Sequence, residues 1–205
     1  MRKPYLILIL VNLTTFTFAQ TINYGIKAGL NLSTFYVNNS YYKGFEKNLT
    51  GFNAGVIVDI GFSNFVVQPG LFYSTKGEKV PYIIVNANQQ SITPTTASNR
   101  LNYIELPVNF LYKVIQIPGV SFHLGGGPYI GYGISDNASI NGTNTSVPFN
   151  KYYHNPDYGI NFIAGAEFKN KILADAGYGL GLAGSGGGST GQNRVLSFSV
   201  GYLFR

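Results

Sequence analysis

Six titratable residues of this 205-residue chain hold the same position in a recurring two-residue alternation: Lys27, Asp59, Glu105, His123, Glu167 and Asp175. Such a set can work in two ways. Carboxylates beside a lysine and a histidine can hold a proton or a cation and form a gated path. They can also pair with one another and seal the space they face. With Lys76 at the upper end, two lysines oppose four carboxylates, an excess of two negative charges. Charges in a narrow interior must pair, hydrate or change protonation. Glu167 and Asp175 flank the short Lys169–Lys171 connection, so they are expected close together, settled by a shared proton or by a bridge from Lys27.

Other chemistry has thinner support. His154 and Asp157 share one long connection with several Ser and Asn, a pairing that in principle activates water or a hydroxyl. Asp136, Asn137, Asn141 and Asn144 are oxygen donors, but they lack the spacing and closing Glu of a calcium loop. Gly184–Gly188 has neither the Lys-Ser/Thr nor the helix of a phosphate loop. With no Cys there is no thiolate nucleophile, zinc–thiolate site or Fe–S cluster. The expectation is a non-enzyme with no organic cofactor and no metal.

The elements that must position these residues are strands. Charged residues are only 11% of the chain, against roughly 25% in a soluble domain, and Gly, Tyr and Phe number 26, 16 and 15. No run of about 20 apolar residues exists to span a bilayer as a helix. Period-two alternation recurs eight times: Ile22–Phe35, Thr50–Ile60, Phe65–Lys76, Leu101–Tyr112, Phe122–Ile134, Tyr158–Phe168, Ile172–Leu182 and Leu196–Phe204. Each is long enough to cross a bilayer as a tilted strand of about 9–11 residues. Connections alternate too. Gly61–Asn64, Lys113–Gly119 and Lys169–Lys171 are short, whereas Tyr36–Leu49, Gly77–Arg100, Ser135–Asp157 and Ala183–Arg194 are long. The fold expected is all-β, an eight-stranded antiparallel up-and-down transmembrane β-barrel with short periplasmic turns and long extracellular loops.

The faces agree. One is nearly free of charge; the other mixes Gly, Asn, Ser and single charges, a poor dry core but a reasonable polar lumen. Outward aromatics gather at two levels. Tyr24, Phe65, Tyr112, Phe122, Phe168, Tyr202 and Phe204 lie at the turn end, and Tyr36, Phe52, Tyr73, Tyr132, Tyr158 and Tyr178 at the loop end. Gly177, Gly179 and Gly181 are expected to face inward and leave room for Tyr rings. A lumen this narrow fits only its own side chains, which favours a sealing, structural role for the six titratable residues.

The N-terminus reads as an export signal over residues 1–19. Arg2 and Lys3 precede an apolar stretch from Tyr5 to Val11, and Thr17-Phe18-Ala19 is a cleavage site before Gln20. Cleavage between Ala19 and Gln20 leaves one barrel domain, residues 20–205. Loss of Arg2 and Lys3 reduces the formal charge from +6 to +4, carried by scattered residues, so no nucleic-acid partner is expected.

Several stretches carry a resemblance: Gly25–Leu32 (GIKAGLNL), Gln68–Ser74 (QPGLFYS), Tyr103–Val108 (YIELPV), Gly125–Gly131 (GGGPYIG) and Asp157–Ile160 (DYGI), with Phe18-Ala19-Gln20 at the signal junction. With these the chain resembles the PorT family, the outer-membrane β-barrel domain family of Bacteroidetes, over essentially its whole mature length. The resemblance implies the Gram-negative outer membrane and, through the family's founding member, a link to protein secretion by the type IX system. One departure is at the C-terminus, where Arg205 follows Phe204 and the aromatic end signal of many such barrels is displaced. The expected partners are outer-membrane lipid, the barrel-assembly machinery and other envelope or secretion proteins. The leading expectation is a structural or accessory barrel. A small-solute or ion pore, and a surface-binding or adhesion protein acting through its extracellular loops, are the alternatives.

Overall fold

The computed structural model describes residues 21–36, 47–85, 92–140, 143–147, 155–184 and 191–204. The signal junction Ala19–Gln20, together with Asn141 and His154, lies outside them. The described residues contain no helix long and apolar enough to cross a membrane. They form nine strands: β1 (Thr21–Tyr36), β2 (Lys47–Phe62), β3 (Phe65–Val85), β4 (Ile92–Ile117), β5 (Val120–Ile140), β6 (Thr143–Val147), β7 (Asp157–Phe168), β8 (Ile172–Gly181) and β9 (Gln192–Phe204). All described pairings are antiparallel. The sheet order β4-β3-β2-β1-β9-β8-β7-β5-β6, with β4 also pairing β5, closes eight of them into a ring and leaves β6 as a flap on β5. This is the eight-stranded barrel that the alternation predicts.

The register sets the shape. Ile22 pairs with Ile60, and successive partners around the ring are Val67, Phe110, Gly126, Phe162, Tyr178 and Leu196, which returns to β1 at Leu32. The circuit climbs ten residues, and eight strands with that stagger tilt by about 43°. Each strand residue then rises about 2.4 Å along the barrel axis.

Alternation decides which side chains meet lipid. Ile26, Leu30, Val56, Leu124, Phe162, Phe198 and Val200 are large, apolar and exposed on the outer wall. Lys27, Asn31, Asp59, Gln68, Asn109 and His123 are buried inside it. A sheet that puts apolar groups outside and charge inside is stable only if the outer solvent is hydrocarbon. Both aromatic levels lie on the outer wall. Tyr73 is the half-buried exception, with its ring 5.5 Å from that of Phe52.

Two boundaries differ from the expected ones. Gly77–Arg100 is no open loop: β3 runs to Val85 and β4 starts at Ile92, so the hairpin continues well above the bilayer. Ser135–Asp157 likewise contains the top of β5 and all of β6. In that stretch neither face meets lipid, so the apolar alternation that marks a spanning strand fades while backbone pairing continues. At the other end, Lys113–Gly119 is not a seven-residue turn. The strand continues to Ile117, with a bulge between Lys113 and Ile115, and the chain reverses at Pro118-Gly119. Gly119 has a φ of +91°, which an L side chain rarely adopts.

Candidate functional site

The lumen holds five of the six titratable residues in two levels, with Glu167 at a periplasmic vestibule below them. The lower level is a crossbar. Lys27 Nζ on β1 lies 2.6 Å from Asp175 Oδ2 on β8, and it donates to Gln68 Oε1 on β3 at 3.0 Å. Gln68 Nε2 donates to Asp59 Oδ1 on β2 at 2.7 Å. His123 Nε2 on β5 sits 2.8 Å from Asp175 Oδ1. Five strands are thus tied by one chain of polar contacts. Beside it, Ile57, Leu173 and Leu203 form a small apolar cluster with Phe72 against it.

The upper level centres on Lys76, only 4% exposed. Its Nζ pairs with Glu105 Oε1 and lies 3.2 Å from Asp157 Oδ2. Asn193 Nδ2 and Tyr129 Oη also donate to Asp157 Oδ2, at 3.0 and 3.4 Å. The ammonium stands 4.3 Å from the Tyr129 ring centre and 5.3 Å from that of Tyr103. Negative ring faces and two carboxylates stabilise one cation from several sides. Phe35 and Leu101 pack with Tyr103 as an apolar cluster at this level.

Neutral amides and hydroxyls link the levels. Asn53 donates to Asn31 Oδ1 at 2.7 Å, Asn31 to Ser74 Oγ at 3.1 Å, and Thr75 Oγ1 to Asn102 Oδ1 at 3.0 Å. A central cavity of about 110 Å³ remains, lined by Lys27, Lys76, Glu105, Asn109 and Asp175 among others. That is room for about three or four waters, far below the roughly 300 Å³ of a small-molecule site. A wider vestibule of about 590 Å³ opens at the periplasmic end, lined in part by Asp59, Lys113, Glu167, Lys169 and Lys171.

Parity points Lys27, Asp59, Glu105, His123, Glu167 and Asp175 inward; the structure puts five of them in the two levels and Glu167 at the periplasmic vestibule. Their partners differ from expectation in one respect. Glu167 does not share a site with Asp175. It lies opposite Leu173 in the ladder, while Asp175 lies opposite Gly165, and Glu167 pairs instead with Lys113 at 2.8 Å. Lys27 bridges Asp175 alone of the two. In the ladders Glu167 lies opposite Ser121 of β5 and Lys113 lies opposite His123 of the same strand, so Lys113 reaches Glu167 across β5. Lys113 belongs to β4, not to the turn that the sequence pattern suggests.

Asp157 was also misplaced. His154 is outside the described residues, and Asp157 does not lie in a loop. It opens β7, is 1% exposed and holds Lys76. Asp136, Asn137 and Asn144 are strand residues of β5 and β6, and no three acidic or histidine side chains among the described residues converge as metal ligands. Gly177, Gly179 and Gly181 do not make room for Tyr rings. A Cβ there would meet Ser197 Oγ at 2.6 Å, Asn161 Oδ1 at 3.3 Å and the Asn193 backbone. Tyr129 lies instead over Gly159, where a Cβ would come within 2.7 Å of its ring.

Three lysines and four carboxylates are ion-paired, and Asp59 joins them through Gln68, so the formal excess of two negative charges persists with His123 counted as neutral. Chemically the arrangement locks. His123 is oriented by Asp175, but each lysine and carboxylate head group of the network is held by another strand.

Among solved structures the chain is similar to Neisserial surface protein A, at 12% identity over 91% of this chain and 100% of that one, with a TM-score of 0.49. It is also similar to the attachment invasion locus protein Ail of Yersinia pestis, at 15% identity over 89% and 99% of the two chains, with a TM-score of 0.42. The N-terminal β-barrel domain of Pseudomonas aeruginosa OprF matches at 10% identity over 88% and 97%, with a TM-score of 0.33. No curated protein matches the chain. Residues 18–185 match the outer membrane protein beta-barrel domain, a span that takes in the N-terminal end of the barrel and both levels of the lumen up to β8. The chain belongs to the outer membrane protein beta-barrel domain family.

Proposed function

We propose that this protein is a non-enzymatic structural or accessory barrel of the Gram-negative outer membrane, delivered there after removal of residues 1–19. One observation carries the reading: the lumen is tied across by ion pairs and hydrogen bonds on two levels, with about 110 Å³ left between them. A sealed barrel acts through its surfaces, so its work is done with lipid, the assembly machinery and neighbouring envelope proteins. Resemblance to the PorT family makes a type IX-like secretion complex the first candidate assembly. The test is a tagged pull-down from outer membranes in mild detergent, paired with conductance in planar bilayers. Reproducible recovery of secretion or other envelope components supports the accessory role. Recovery of the barrel alone, with a steady conductance, replaces it with a pore.

A second reading is surface binding. β3, β4, β5 and β6 continue beyond the outer aromatic level as paired strands, a shaped extracellular sheet rather than slack loops. Loss of ligand or host-surface binding after trimming residues 77–100 would favour it.

A further inference from the structure

The three periplasmic turns are not alike. Ser63-Asn64 and Lys169-Asn170 are polar, but residues 114–122 (VIQIPGVSF) carry no charge. There the β4–β5 hairpin runs on past the bulge with Ile115 opposite Phe122 and Ile117 opposite Val120. Val114, Ile115, Ile117 and Phe122 are between 41% and 55% exposed. This outer face continues the lipid-facing wall directly, because the Tyr112–Leu124 pair stands just above it, and both of those residues are exposed. Phe122 belongs to the inner aromatic level. Val120 and its partner Ile117 lie two residues further, about 5 Å along the axis. The headgroup layer is about 5–7 Å deep on each side of the hydrocarbon. The apolar tip therefore ends within that layer.

Cations stand beside it, for Lys169 and Lys171 share the rim of the periplasmic vestibule with Ile117 and Val120. The Lys169 amide donates to the Gly119 carbonyl at 2.8 Å, which fastens the two turns together. Lys113 is paired with Glu167, whereas no described carboxylate lies within ion-pair distance of Lys169 or Lys171. An apolar wedge at headgroup depth, flanked by ammonium groups that no described carboxylate pairs, matches one chemistry, an anionic phospholipid.

We propose that the β4–β5 hairpin tip, with Lys169 and Lys171, is an interfacial foot that seats in the periplasmic leaflet and selects anionic phospholipid headgroups.

The chain has no cysteine, so Ile117→Cys and, as a control on another turn, Ser63→Cys each accept one environment-sensitive fluorophore. The full barrel is placed in phosphatidylcholine vesicles with and without phosphatidylglycerol, and folding is checked by heat-modifiable gel mobility. The probe at 117 is expected to be quenched by headgroup spin-labelled lipid and shielded from aqueous iodide; the probe at 63 is expected to behave oppositely. Spin-labelled phosphatidylglycerol should associate more strongly than phosphatidylcholine, by about fivefold for each lysine. The Lys169→Gln/Lys171→Gln variant should lose that preference. Equal iodide access at 117 and 63 overturns the proposal. So does equal association of the two lipids, or a preference the double variant keeps. Shielding at 117 in native envelopes but not in vesicles also overturns it, since a protein would then cover the tip.

Discussion

Replacing Lys76 by Met tests whether the upper level is a buried lock. Met keeps the length of the chain and removes the charge. Glu105 and Asp157 are then left facing each other in a site where Asp157 is 1% exposed. At 3.2 Å and an effective dielectric of 20, the Lys76–Asp157 attraction alone amounts to about 5 kcal/mol. Desolvation of the lysine offsets part of this, and breaking a buried pair from one side costs about 3–5 kcal/mol. The expected loss is therefore about 3–5 kcal/mol, or a factor of roughly 10² to 10³ or more in the folding equilibrium. The assay is urea titration of folding into lipid vesicles, read by heat-modifiable gel mobility. Lys113→Met is the control. Its pair with Glu167 has the same chemistry at 2.8 Å, but the two side chains are 24% and 28% exposed, so the loss should be about 0–1 kcal/mol. Neutralising both carboxylates in the Lys76→Met background, with Glu105→Gln and Asp157→Asn, should recover most of the stability. A loss below about 1 kcal/mol for Lys76→Met would refute the reasoning, as would equal losses at 76 and 113.

Further outcomes follow from the same geometry. Gly165→Ala should destabilise by about 1–3 kcal/mol, because its Cβ would collide with Asp175 Oδ1 and come within 2.7 Å of His123 Nε2; histidine NMR shifts should report the separated pair. Asp175→Asn removes the carboxylate charge facing both Lys27 and His123, leaving Lys27 only Gln68, and should cost about 3–5 kcal/mol in the same titration, more than Glu167→Gln. Phe162→Arg, on the outer wall at 54% exposure, should cost about 2–4 kcal/mol in bilayers. A change within about 0.5 kcal/mol there would mean that the outer wall faces water rather than lipid.

The alternation of apolar and polar residues was legible because lipid imposes it. From Thr50 to Ile60, and again from Tyr158 to Phe168, the chain writes out which side chains face hydrocarbon, and strand number and inward parity follow. That is why Lys27, Asp59, Glu105, His123, Glu167 and Asp175 could be placed inside before any coordinates. Where lipid stops, the signal stops. The upper reaches of β3, β4 and β5 looked like loops, Lys113 looked like a turn residue, and Asp157 looked like part of a loop.

Partnership was legible only in part: a Lys27 bridge is one of the two settlements expected for Glu167 and Asp175, and Lys27 meets Asp175 but not Glu167. Lys27 and Asp175 are 148 positions apart in the sequence, and nothing local to either names the other. They meet because a ten-residue stagger around eight strands brings one point of β1 level with one point of β8. One step of slip in any ladder would turn every inward charge on that strand toward lipid. Composition and period thus determined a barrel with charge inside. The closed register determined which charges join, which oxygen each lysine meets, and how little space is left between them, because those depend on strand tilt and stagger summed around the whole ring.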